Sequence, residues 1–290
     1  MTESISYINS IGEKLTFTKS LQSDLVFSNL GDFGDVAASM ITQKIPLSHG
    51  SMYYGSTMEE RSYTFEGVIR GIDTKAVSGL RREVARIIND AYGVGTILYE
   101  RDGEKYVLDG VPDGIPSFPS GFENRNHRFQ KAIFSFICHD PFWKDLADRE
   151  AYMRAFTEAF SMPFRFPVRF GQQASIVTIH NGGHRETPVK LELSGPSNKP
   201  RFENQTTGEF IEITRPLADN EKLIINTEIG KKSVIVQRAD GTEEDGFDYL
   251  EQASTFFMLQ LGDNKLKYNA VSGTGKAVAK ISWRQRYNAI

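Results

Sequence analysis

"FSFICHDPFWKD", residues 134–145, places the only cysteine of the chain, Cys138, beside His139 and Asp140, then breaks at a proline followed by two large aromatics. Three adjacent residues able to ligate metal or carry nucleophilic chemistry suggest a site. The alternation of Phe134, Phe136 and Cys138 suggests instead the end of a strand. Successive side chains of a strand point to opposite faces, so Ala132, Phe134, Phe136 and Cys138 share one face and His139 lies on the other. On opposite faces, Cys138 and His139 cannot share a metal or form a thiolate pair. A cysteine beside two phenylalanines behaves as a small apolar residue. Pro141 supplies the stop, because it removes a ladder donor and biases Asp140 towards an extended or turn conformation. The spacing therefore predicts a strand end and no active centre.

The same period-two pattern recurs on the N-terminal side. In "SYTFEGVIRG" (62–71), Tyr63, Phe65 and Ile69 fall on one face. Weaker alternation pairs Ile5 with Tyr7, Leu15 with Phe17, and Leu25 with Phe27 and Leu30, before the glycine-rich turn "NLGDFGD" (29–35). "GTILYERDGEKYVLDGV" reads as a hairpin turning on Asp102-Gly103. One helix interrupts the strands. Leu80, Val84, Ile87, Ile88 and Ala91 recur at helical spacing with Arg81, Arg82 and Glu83 largely opposite, predicting a helix from near Ala76 to near Ala91, stopped by Gly93 and Gly95. Residues 1–145 are thus predicted to form a split-barrel-like β domain with one packed α-helix.

Beyond residue 145 the pattern changes. Tyr152, Ala155, Phe156, Ala159 and Phe160 lie on one helical stripe, and "PFRFPVRFG" (163–171) is extended by its prolines. Residues 146–172 are therefore predicted to be a linker containing a helix. Residues 173–290 show short alternating runs, among them "PVKLELSG", "KLIINTE" and "AVAKISWRQRY", separated by Gly, Asn and Asp. That spacing predicts an antiparallel β-sandwich. The fold class is mainly β.

At 290 residues the chain suits two domains. A single cysteine excludes an internal disulfide framework and any multi-cysteine zinc site. With 34 basic and 37 acidic residues and no basic stripe, general nucleic-acid affinity is not expected. "MTESISYINSIGEKL" lacks the regions of a signal peptide, and no apolar run approaches the ~20 residues of a membrane helix. A soluble protein without membrane anchor or classical export signal is expected.

Other motifs fail on chemistry. "SGTGKA" (272–277) has Ala270 where a phosphate loop needs glycine and Ala277 where it needs a hydroxyl, so Gly273 and Gly275 read as a hairpin turn. Among His49, His127, His139, His180 and His184, only His180 and His184 are close, and they flank the turn "NGG" rather than a helix. The acidic stretch "DGTEEDGFD" (240–248) lacks calcium-loop spacing and reads as a solvated loop. No catalytic residue, metal ligand or cofactor site is predicted, and the chain is not expected to be an enzyme.

The order of these features resembles the distal tail protein (Dit) family of siphophages and related prophage tail components. "YTFEGVIRG", the helix "LRREVARIIND" and the Asp-Pro-aromatic-aromatic end of "FSFICHDPFW" carry the first half of the likeness. "FPVRFG", "IHNGGHRETPVKLELSGPSNKPRFENQTTGEFIEI", "LIINTEIGKKSV", "FFMLQLGDNKLKY" and "KISWRQRY" carry the second, with the helical pattern at 145–162 as the departure. The resemblance implies a structural hub: a homo-hexameric ring at the virion tail tip, assembled in the bacterial host cytoplasm. Such a ring joins the tail tube protein to tail-tip, baseplate and receptor-binding or adsorption proteins, and encloses a channel that DNA crosses without specific binding. It also implies that the sandwich is galectin-like or carbohydrate-module-like and could make weak glycan contacts. An alternative is a carbohydrate-binding protein for host cell-surface attachment, although Trp143 and Trp283 both have structural accounts, at a strand–proline junction and within a strand. Within the ring, residues 30–55, too long and unpatterned for an ordinary connection, are expected to form a loop or arm reaching a neighbouring subunit.

Overall fold

The computed structural model describes residues 3–20, 22–153, 175–272 and 277–290. The chain divides into two compact units, residues 1–146 with 287–290, and residues 147–286. Among the described residues no helix is long and apolar enough to cross a membrane.

The first unit is a barrel built around the stretch quoted above. Its elements are β1 (Glu3–Ile8), β2 (Lys14–Thr18), β3 (Leu25–Asn29), β4 (Ala38–Gln43), β5 (Met52–Met58), β6 (Arg61–Arg70), α1 (Thr74–Ile87), β7 (Gly95–Arg101), β8 (Glu104–Pro112), β9 (Phe129–Cys138) and β10 (Trp143–Asp145). Strands run in the order β8-β7-β1-β2-β3-β6-β9, and β9 pairs back onto β8 to close the ring. Closure is thinnest between β2 and β3, whose parallel contact is the single pair Thr18↔Val26.

Period-two patterning decides what faces inward. β6 and β9 pair antiparallel with Tyr63 opposite Phe136 and Phe65 opposite Phe134. Ala132, Phe134, Phe136 and Cys138 are all fully buried. The rings of Phe65 and Phe134 lie 4.7 Å apart and those of Phe17 and Phe134 4.9 Å apart, and each buried phenylalanine contributes about 1.5–3 kcal/mol. The β7–β8 hairpin turns on Asp102 and Gly103, both at positive φ (51° and 97°), as a two-residue turn matched to strand twist demands.

The helix begins where Asp73 accepts a hydrogen bond from the Ala76 N–H at 2.7 Å. It buries Val77, Val84 and Ile87 and packs on β2, β6 and β9. It stops at Ile87 rather than near Ala91, because Asn89 Oδ1 accepts from the Ala91 N–H at 3.0 Å and starts a separate 3-10 turn. Trp143, placed by its sequence at a strand–proline junction, is itself the first residue of β10, which pairs with β8.

The second unit is a two-sheet sandwich. Its strands are β11 (Arg149–Met153), β12 (Ser175–Asn181), β13 (Thr187–Ser194), β14 (Arg201–Asn204), β15 (Glu209–Glu212), β16 (Lys222–Asn226), β17 (Ser233–Gln237), β18 (Glu243–Asp245), β19 (Met258–Leu259), β20 (Gly262–Asn269) and β21 (Val278–Trp283). One sheet runs β11-β21-β13-β16-β17-β18, with β19 also on β13, and the other β12-β20-β14-β15. Leu191, Leu193, Leu223, Ile225, Val234 and Val236 of the first sheet meet Phe202, Ile211, Leu266 and Tyr268 of the second in one core.

The predicted linker helix is not what its first residues form. Arg149–Met153 is a strand, in register with Ala279–Trp283 of β21. Tyr152 can begin a helical stripe, but Ala151 and Met153 also alternate with Glu150 and Tyr152, and a short window cannot separate the two periods. Pairing with β21 decides it. The remainder of that stripe (Ala155, Phe156, Ala159, Phe160), the segment 163–171, and the turn assigned to Gly273 and Gly275 lie outside the described residues. The chain finally returns to the first unit: β22 (Arg286–Tyr287) takes the place beside β10. Tyr287 donates its hydroxyl to Asp145 Oδ1 at 3.0 Å and meets the Tyr106 ring edge-on at 5.5 Å.

Candidate functional site

The residues that first suggested chemistry are dispersed. Burial pushes the Cys138 thiol up to about 12, far from a reactive thiolate. His139 faces outward and pairs with Glu60 at 3.0 Å. Asp140 binds Lys144 at 2.7 Å, and Lys144 also reaches Asp109 at 3.2 Å. His180 pairs with Asp263 at 2.7 Å across β12–β20, whereas the His184 backbone N–H is held by the Arg286 carbonyl. Exposed His49 and His127 stand on separate loops of the first unit. Among the described residues no three His, Cys, Asp or Glu side chains cluster as a metal site.

The acidic stretch 240–248 satisfies itself. Asp240 accepts from the Thr242 N–H and hydroxyl, Glu244 binds Arg238 and Tyr249, and Asp245 accepts from the Phe247 N–H. Two aromatic side chains of the sandwich are covered. The Arg201 guanidinium lies 3.5 Å above the Phe210 ring, and Trp283 packs half-buried against the core.

The motifs carrying the family resemblance in the second unit make turns. In "NGG", Asn181 Oδ1 accepts from the Gly183 N–H, and its amide donates to the Arg185 and Leu259 carbonyls. In "NQTTG", Asn204 Oδ1 accepts from the Thr206 N–H. In "LGDN", Asn264 accepts from the Gln260 N–H at 2.9 Å and donates to the Gln260 and Gly262 carbonyls. All three asparagines are fully buried. They tie loops together inside an apolar core.

Among the described residues, the arm concentrates exposed apolar groups. The region read as a loop or arm, residues 30–55, carries a two-stranded sheet, β4 on β5, that runs on to Met58 and is separate from every other sheet. All of β4 and most of β5 is exposed, with Met40, Ile41, Leu47, Tyr53 and Tyr54 more than half accessible. At the tip Leu47 adopts φ +61°, a conformation uncommon outside glycine. Exposed apolar groups this concentrated mark an interaction surface.

The root of the arm is tied to the barrel. Gly31 sits at φ +71°, and a Cβ there would lie 1.9 Å from the Thr64 carbonyl oxygen, so only glycine fits. Tyr63 donates its hydroxyl to the Leu30 carbonyl at 2.6 Å. The Phe33 ring packs 4.6 Å from Tyr99 and 5.6 Å from Trp143. Arg61 is the hub of this root. It is 1% exposed, and its guanidinium donates to the carbonyls of Pro141 (2.8 Å), Phe33 (3.0 Å) and Asn288 (2.6 Å). The Trp143 indole N–H adds a second donor to Phe33 at 3.2 Å. Burial lowers the Arg61 pKa from its ordinary value, and the charges of Asp32 and Asp35 partly oppose it; the groups that hydrogen-bond the guanidinium directly are the three carbonyls. Sequence reasoning missed Arg61, although its position was readable: it shares parity with the inward-facing Tyr63 and Phe65.

Comparisons with known proteins divide the chain at the same features. Residues 12–138 match the phage tail protein RIFT-related domain, and residues 182–287 match the C-terminal domain of the siphovirus-type tail component. No curated protein sequence matches the chain significantly. Among solved structures, the SPP1 Dit (gp 19.1) protein, described as a paradigm of the hub adsorption apparatus in phages infecting Gram-positive bacteria, superposes with a TM-score of 0.67 at 11% identity, over 97% of this chain and 98% of that one. Chains of the phage P2 baseplate in its activated conformation, with Ca and with Sr, superpose at 0.57 and 0.56 and 10% identity over the whole of both chains. At such identities the likeness is one of fold.

Proposed function

Bearing both tail modules in tandem, the chain belongs to the distal tail protein family of siphophages, and we propose that it is the ring-forming hub of a tail tip. Six copies form a ring through their barrel units, join the tail tube to the tail-tip or baseplate and adsorption proteins, and enclose a channel that DNA crosses without specific binding. The ring resides in the virion and is assembled in the host cytoplasm. The family is structural, and this reading assigns the chain no catalytic step.

The observation that carries the reading is the rooted, uncovered arm. A two-stranded hairpin is marginal in water by itself, and an exposed apolar one is an aggregation hazard. Buttressing such an element at its base by Arg61, Tyr63 and Phe33 makes physical sense when another subunit covers the rest. Head-to-tail contacts of this kind close into a ring when the rotation per subunit permits. Negative-stain imaging and mass measurement of the purified protein across concentration test the reading. Six-fold rings are expected; monomers at every concentration would overturn it.

A further inference from the structure

We infer that the arms of neighbouring copies pair edge to edge, the β4 edge of one hairpin against the β5 edge of the next, so that the hairpins form one continuous sheet around the ring. This rests on the ring reading and specifies the contact that holds it. Among the described residues, the outward edges of β4 and β5 make no hydrogen bond to any other strand. Solvent-exposed edges are ordinarily blunted by charge, proline or a covering element. Here the six residues of β4, "ASMITQ", and the seven of β5, "MYYGSTM", contain no charged residue and no proline. The flanking charges, Lys44 and Glu59, lie outside both strands.

The occupant follows from symmetry. β4 and β5 run antiparallel. Copies related by rotation about a ring axis point their hairpins the same way, so the β5 of one copy lies antiparallel to the β4 of the next. Repeating that contact closes an antiparallel barrel with two strands per copy, which abolishes edges altogether. Two edges free of charge also avoid like charges meeting when identical chains pair. Pairing β4 with β4 would instead give a two-fold dimer whose β5 edges remain open. A foreign strand could satisfy one edge but would leave the other exposed.

Cysteine cross-linking of the full chain separates these arrangements. The native Cys138 is buried and silent, so Thr42→Cys on β4 can be combined in turn with Tyr54→Cys, Ser56→Cys or Met58→Cys on β5 to sample registers, followed by mild oxidation. At least one pair is expected to give a covalent ladder ending in a closed multimer, whereas Thr42→Cys alone stays monomeric on a non-reducing gel. Dimers from Thr42→Cys alone would overturn head-to-tail pairing in favour of the two-fold contact. Failure of every pair to cross-link in preparations that display rings would also overturn it.

A second variant carries like charges on both strands, Thr42→Lys with Thr57→Lys, positions that do not face each other within one hairpin. Loss of rings is expected with an unchanged thermal midpoint, because both side chains are exposed. Rings that persist in it would refute edge pairing while leaving the hub intact. If the parent protein itself never forms rings, the hub reading falls with it.

Discussion

Replacing Arg61 by methionine tests whether the barrel and the arm share one anchor. Methionine keeps most of the stem packing and removes the guanidinium, so cavity formation adds little. The carbonyls of Pro141 and Asn288 then lose this donor, while the Phe33 carbonyl keeps the Trp143 indole. A hydrogen bond to a charged group contributes about 1.5–3 kcal/mol, so losing the two to Pro141 and Asn288 costs about 3–6 kcal/mol, taken as about 4. In a unit of about 150 residues, each kcal/mol moves the midpoint by roughly 2–4 °C, and a fall of about 8–16 °C is expected. Of the two tryptophans, Trp143 belongs to the first unit and Trp283 to the second. Thermal unfolding followed by fluorescence in a Trp283→Phe background therefore reports the barrel alone. Arg61→Lys should lose nearly as much, since an ammonium cannot reproduce three divergent donors from a planar fork. A drop below about 3 °C for Arg61→Met would refute the anchor.

Cys138 should resist alkylation by iodoacetamide at pH 8 until the chain is unfolded, because burial holds its thiol near 12; rapid native-state labelling read by mass spectrometry would contradict its place in the core. Glu192 lies between Lys222 (2.7 Å) and Lys190 (2.9 Å), and hydrogen bonding led by Lys222 lowers its pKa from 4.5 to about 2. A depressed carboxyl contributes stability that is full above the unfolded value and lost as pH falls through the folded one. Glu192→Gln should accordingly unfold at lower urea than the parent at pH 7, with the gap closing between about pH 4.5 and 2; a gap independent of pH would exclude the ion pair as its source. Asn264→Ala should destabilise the sandwich by about 2–3 kcal/mol, and amide exchange across residues 258–266 should quicken while the barrel amides stay unchanged.

The barrel was legible where aromatic residues alternate on a strand buried on one side, as in 61–70 and 129–138. The sequence also showed correctly that Cys138 and His139 face opposite ways. The helix end was obscured because Ile88 and Ala91 prolong the apolar stripe, while a side-chain hydrogen bond from the Ala91 N–H to Asn89, invisible to periodicity, breaks the helix. The arm was recognisable only as a stretch lacking pattern. Its strands alternate no clear apolar face because no other sheet among the described residues lies against them, and propensity alone rarely defines a strand without its packing partner. Arg61 went unnoticed because a charge at a strand's first residue is normally solvated. Only the three carbonyls that converge on it, one from residue 288, explain its burial. The asparagines of the second unit stood out as motifs, but their spacing cannot show that they are buried ties between loops.

The return of Tyr287 and Asn288 to the barrel has a consequence for synthesis. The third acceptor of Arg61 belongs to Asn288 and one partner of Tyr106 is Tyr287, so the arm root and the edge at β10 cannot be completed until those residues have left the ribosome, although the closed strand order needs only residues 3–138. Domains generally fold as units in order of emergence; here the first unit can pair its strands early yet waits for residues 287 and 288 to complete its last contacts. The arm root, which shares Arg61 with residue 288, would then become firm only on nascent chains that have passed the sandwich. Truncated chains would carry an unanchored hairpin and be poor partners for assembly.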